Sequence, residues 1–156
     1  MTFDDDKIYF YKITQESVSF QLGVIPTEYV ELQDRNGKRI VSFSETGELT
    51  VYKGYAWDGA SPKWRYGPVM FGTWDGRWDH TIDKPDLWEA TLIHDSLLQL
   101  KEYRPVEMES VEWKDIDDTF LAQMQAVEFK YASLYYTCVR WYHKLWRKPK
   151  MWLMRK

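Results

Sequence analysis

Apolar and polar positions alternate over short runs in the first third of the chain, then fall into a three-to-four-residue rhythm after Pro85. Ile8-Tyr9-Phe10-Tyr11-Lys12-Ile13 and Val18-Ser19-Phe20-Gln21-Leu22 are brief and rich in aromatic or branched side chains, as strands are. Tyr29 to Leu32 and Arg39 to Phe43 flank Asp34-Arg35-Asn36-Gly37, and Asn-Gly favours the positive φ angles of a tight hairpin turn. Thr46-Gly47 punctuates the chain before another such run, Glu48 to Tyr52. These pieces predict an antiparallel β-meander, with Gly54 to Pro62 leaving its last strand.

Pro62 to Pro85 shows neither rhythm. It holds Gly67, Gly72 and Gly76 among Trp64, Tyr66, Phe71, Trp74 and Trp78, which reads as a long loop packed down by its aromatics. Pro85-Asp86 suits a helix start, and Asp86 to about Lys101 has apolar residues on too many sides for one exposed stripe. It reads as a central, buried helix. A second helix, about Glu109 to Glu128, carries Trp113, Ile116, Phe120, Met124 and Val127 along one face. A third runs from Tyr131 to about Arg147. The expected fold class is α+β: an N-terminal antiparallel β-meander followed by three helices packed on it. One domain spans 1–148, and 149–156 form a basic C-terminal tail.

Composition narrows the picture. Aromatic residues make up 17% of the 156 positions, with nine Trp and eleven Tyr, so large flat side chains must fill the core, cover a cleft or form a partner surface. A net charge of −3 argues against a protein that binds nucleic acid as a whole. No apolar stretch is long enough for a membrane span, and the acidic start Met1-Thr2-Phe3-Asp4-Asp5-Asp6 is no secretory signal. Cys138 is alone, so no intrachain disulfide forms, which fits a reducing compartment. From Val139 onward the chain has seven Lys/Arg and no acid, with Trp141, Trp146 and Trp152 interleaved. That segment is either a contact for phosphate or an acidic protein surface, or the solvated face of a last helix.

The candidate chemistry lies in two motifs. Gly54-Tyr55-Ala56-Trp57-Asp58-Gly59-Ala60-Ser61-Pro62 puts an acid and a hydroxyl on a turn, and Ala90-Thr91-Leu92-Ile93-His94-Asp95 puts an imidazole on an apolar helix face. Asp117 sits at the edge of the second helix's stripe, where it can face His94 if the helices pack antiparallel. Three readings stand open. His94, Asp58 and Asp117, with Asp95 nearby, are candidate ligands for a divalent metal ion that activates water. Alternatively Ser61 is a nucleophile served by His94 and a carboxylate. In the third, the same groups form a satisfied buried network that fixes packing. His80, His94-Asp95 and Asp117 also follow an H…HD…D order seen in metal-dependent phosphohydrolases, although those are wholly helical.

The two blocks, followed by Asp117-x-x-Phe120 and Val139-Arg140-Trp141, resemble the signature segments of a phage and prophage family named domain of unknown function 1353. That family's segments run G-[FY]-x-[TW]-D-[FG]-A-S, then A-x-x-x-H-D-x-L. The match covers about Gly54 to Trp141. Here Pro62 directly follows Ser61, Ser96 replaces an aromatic residue, and the stretch Tyr66 to Lys84 is longer. The resemblance implies a phage origin, a place in the host cytoplasm or the virion, and Asp58, Ser61, His94, Asp95 and Asp117 acting as one cluster. The leading expectation is a small metal-assisted hydrolase. In it His94 is ligand or general base, Asp95 and Asp117 are ligands or orienting carboxylates, Asp58 is ligand or acid, and Ser61 positions substrate. The competing expectation is a non-catalytic virion or host-interaction protein. It would dock a phage or host protein, or its own copies, through aromatic and basic surfaces.

Overall fold

The computed structural model describes residues 11–60, 63–66 and 69–147. Ser61, Pro62 and the basic tail from residue 148 onward lie outside the described residues, as do the first positions of the predicted Ile8–Ile13 strand. Strands β1 (Tyr11–Lys12), β2 (Ser17–Gln21), β3 (Val30–Gln33), β4 (Arg39–Phe43) and β5 (Glu48–Tyr52) precede β6 (Ala56–Trp57). The helices are α1 (Trp88–Tyr103), α2 (Trp113–Ala126) and α3 (Ala132–Tyr142), the last running into a π-helical turn, His143–Arg147. The α+β class follows directly from this order.

The main sheet is antiparallel with strand order β2-β5-β4-β3. Only β3 to β5 form a meander; β2 returns to pair with β5 and not with its chain neighbour β3. Side-chain rows explain the choice. Val18, Val51, Val41 and Leu32 lie in one line across the four strands, and Phe20, Leu49, Phe43 and Val30 in another. Between them runs Ser19, Thr50, Ser42 and Glu31 on the opposite face, with Ser19 and Thr50 hydroxyls 2.8 Å apart. Alternation of period two therefore separates an apolar core face from a hydroxyl-lined face. Two matching loops set the register. Asp34 and Ser44 each start a turn closed by a glycine at positive φ, Gly37 (+76°) and Gly47 (+83°). Each turn is then sealed by a backbone bond, Asp34 to Lys38 and Ser44 to Glu48.

The segment after Pro62 is more regular than its sequence suggests. β7 (Lys63–Tyr66) and β8 (Val69–Gly72) pair antiparallel, and β9 (Trp78–Asp79) pairs with β10 (Lys84–Pro85). Pro85 thus belongs to a strand. Asp86 is not a helix cap either, because its N–H donates to the Arg77 carbonyl and its carboxylate accepts from the Arg77 N–H. Helix α1 starts at Trp88 for that reason.

Helix α1 is the hub. Leu92, Ile93, Leu97 and Leu100 fill the apolar face of the sheet, α2 packs against α1, and α3 packs against α2. Helix α1 packs on the sheet through β3, and Ile116 and Trp113 of α2 join the same apolar core as the sheet residues. Helix α2 begins at Trp113 and not at Glu109, since Glu112 and Asp115 form a capping box that satisfies the first free N–H groups. Val127 falls past its end and is 41% exposed, outside the stripe it was expected to extend.

Candidate functional site

Three helices bring polar groups to one buried point. On α2, Asp117 leaves an apolar row between Trp113 and Phe120, one turn away on either side. Its side chain is fully buried. His94 of α1 donates from Nε2 to Asp117 Oδ1 at 3.0 Å. His143, just past α3, donates from Nδ1 to Oδ2 at 2.8 Å, and Arg140 Nη1 donates to the same oxygen at 3.0 Å. Arg140 and His143 are three positions apart, so one helix face presents both. Rings hold the imidazoles in place. His94 stacks on Phe120 with centroids 4.5 Å apart, and His143 lies 5.9 Å from Trp113.

These contacts decide the protonation pattern. A carboxylate only accepts, so the network assigns the proton to Nε2 of His94 and to Nδ1 of His143. Burial pushes the Asp117 carboxyl upward, but the hydrogen bonds from His143 and His94, with their charges, outweigh burial. They hold Asp117 well below the usual carboxylate range. Arg140 is always charged and supplies a permanent counter-ion. A buried carboxylate without such partners would be strongly unfavourable.

The other expected residues are placed differently. Asp95 Oδ1 lies 3.9 Å from His94 Nδ1, too long for a hydrogen bond, on the more exposed side of α1. Asp58 is half-buried on the turn after β6. That turn does reach the helices: the Trp57 indole donates to Thr91 Oγ at 3.1 Å, and Ala60 packs in one cluster with Ala90 and Phe120. Ser61, the next residue, lies outside the described residues, so the serine-nucleophile geometry does too. His80 is exposed in the turn between β9 and β10. The H…HD…D order therefore has no common centre. Among the described residues no group of three His, Cys, Asp or Glu side chains is arranged to hold a metal ion.

Two residues matter that the motifs did not mark, His143 and Asp75, and Arg140 of the Val139-Arg140-Trp141 segment acts here as well. His143 and Arg140 complete the cluster; their i, i+3 spacing was visible, but nothing local ties them to Asp117. Asp75 anchors the first motif. It accepts from Tyr11 Oη at 2.7 Å and from the Ala60 N–H at 2.6 Å, while its carbonyl accepts from the Leu87 N–H. Burial, then the bond to Asp75 and its charge, push the Tyr11 phenol upward. Gly59 is required beside it: φ is +71°, and a Cβ there would lie 2.5 Å from Asp75 Oδ1.

A groove of about 170 Å³ opens elsewhere, near the start of α1, lined by Tyr11, Thr14, Trp78, Asp83, Lys84 and Trp88 among others. Lys84 Nζ sits 3.7 Å over the Trp88 ring there. None of His94, Asp117, Arg140 and His143 borders it. Compared with protein-family models, curated proteins and solved structures, the chain gives no significant match to any of the three.

Proposed function

We infer that the chain is a non-catalytic interaction protein, in which the Asp117 cluster is a clasp that fixes three helices in register. The observation that carries this reading is occupancy: a fully buried carboxylate has both oxygens engaged by three N–H donors. Three of the roughly four acceptor sites of the carboxylate are so occupied, and the guanidinium already stands where positive charge is wanted. The groove near the start of α1 does not border the cluster. The phage setting, with a virion or host-protein role, rests on the motif resemblance. No described helix is long and apolar enough to cross a membrane.

The test is elemental analysis of protein purified without chelator, with thermal melts of wild type and His94→Ala in the presence and absence of EDTA. The clasp reading expects no stoichiometric metal, no EDTA effect, and a lower melt for the variant. Stoichiometric metal that disappears in His94→Ala would overturn it.

A hydrolase is the second reading, favoured by one contact. An imidazole whose Nδ1–H is held by a buried carboxylate is oriented as a general base through its other nitrogen. On that reading His143 or His94 takes the proton while Asp58, Asp95 and Ser61 border the substrate. It requires hydrolytic turnover that His143→Gln abolishes at unchanged melting temperature.

A further inference from the structure

Helix α3 has two apolar faces, and among the described residues only one is covered. Its inner face turns Tyr136, Val139 and His143 toward α2 and the Asp117 cluster. Its outer face carries Leu134, Cys138 and Trp141, and Tyr131 at the N-cap and Leu145 in the π-helical turn continue the three-four-three-four spacing. Tyr131 is 41% exposed, Leu134 58%, Trp141 59% and Leu145 58%, and Cys138 is exposed as well. The half-exposed Trp74 ring extends the patch, 6.3 Å from Tyr131. That spacing is the seam of a coiled-coil interface, which takes another helix as its complement.

Charge beside the seam selects the occupant. Lys130 and Lys144 flank it on one side, fourteen positions apart and both exposed, and no acidic residue occurs from Phe129 to Arg147. A second copy fits poorly. Paired antiparallel, Lys130 of one helix meets Lys144 of the other; paired parallel, both lysines remain without an opposite charge. A helix with acidic residues alongside its apolar seam answers both features. We propose that the outer face of α3 docks an amphipathic, acidic-flanked helix of a partner protein. This rests on the interaction reading above and names the chemistry of its partner.

The experiment uses two designed helical peptides of three heptads, both with Leu along the seam, one with Glu at the flanking positions and one with Lys. Each is titrated calorimetrically into the full chain. The Glu peptide binds, the Lys peptide does not, and added salt weakens binding. Leu134→Ser with Trp141→Ser, both at exposed sites, leaves the melting temperature unchanged and weakens binding by about tenfold or more. Lys130→Glu with Lys144→Glu reverses the peptide preference. Equal binding of both peptides, or none of the Glu peptide, would overturn the proposal. So would a wild-type dimer in sedimentation that the double Ser variant dissociates, since a second copy would then cover the face. Binding to anionic phosphatidylserine vesicles that is lost with Trp141→Ser would assign the face to lipid, and also overturns it. The metal and melt tests of the clasp are read separately, so its failure cannot be mistaken for failure of the docking face.

Discussion

The sheet and the helical layer are held together by different chemistries. Across the sheet, stability comes from apolar rows such as Phe20, Leu49, Phe43 and Val30, which are non-directional and indifferent to pH. Between the helices, apolar packing such as Ala90 with Phe120 and Met124 is joined by one carboxylate gripping groups on three elements, which is directional and titratable. The difference teaches where specificity resides. Apolar rows tolerate exchange of one side chain for another of similar volume, whereas a clasp with three donors demands particular groups at particular positions. Removing a single row member leaves a cavity; removing the carboxylate leaves two buried imidazole N–H groups and a partly buried guanidinium without their acceptor.

The contrast can be broken most sharply by a pair of substitutions. Asp117→Asn keeps the shape but sets an amide N–H₂ against N–H donors, and is expected to cost about 3–5 kcal/mol. Phe43→Ala empties part of the sheet core at a similar cost, about 3–5 kcal/mol. Each should lower the melting temperature by on the order of 10 °C in a chain of this size. Their pH dependence separates them. The fold lowers the Asp117 pKa below its unfolded value of about 3.9, so its contribution is fully present above that value and is lost as pH falls through it toward the folded pKa. In urea titrations from pH 6 to pH 3, wild type and Phe43→Ala should lose stability in parallel below about pH 4, while Asp117→Asn shows a flatter profile. Parallel curves for all three would mean that the clasp does not stabilise the helical layer.

A smaller effect sharpens the same comparison. His143→Phe deletes one donor yet keeps a ring beside Trp113, and is expected to cost about 1–3 kcal/mol in chemical denaturation. Arg140 still pairs with Asp117 in that variant, so the loss should stay below that of Asp117→Asn. Asp75→Asn is the smallest of the set, about 1 kcal/mol, because it weakens one acceptor that ties Tyr11 and the Ala60 N–H to the helix start. It should leave the acid limb of the Asp117 titration unchanged, which separates the two anchoring aspartates.

Much of the architecture was legible from local pattern. Strands at Arg39–Phe43 and Glu48–Tyr52, the turn around Asn36-Gly37, and a buried central helix follow from period-two and period-3.6 spacing and from turn residues. The pairing of Lys63–Tyr66 with Val69–Gly72 was hidden by the density of aromatics in a segment that reads as one long loop. The candidate site was half legible. His94 and Asp117 stood out because each put a polar group on an apolar helix face, and the two do meet. His143 did not stand out, since it sat among exposed aromatics, and Arg140, although within Val139-Arg140-Trp141, read as part of a basic run with no tie to Asp117.

Local sequence therefore determined which residues are strand, helix or turn, and which faces are apolar, because those depend on contacts within a few positions. Tertiary structure alone decided that β2 closes on β5, that Asp75 pins the Gly59 turn, and that groups 23 and 26 residues from Asp117 complete its shell. Partners so far apart in the chain are selected by the register in which whole elements pack. Such a register minimises buried unpaired charge and empty volume together, and no short segment can encode both.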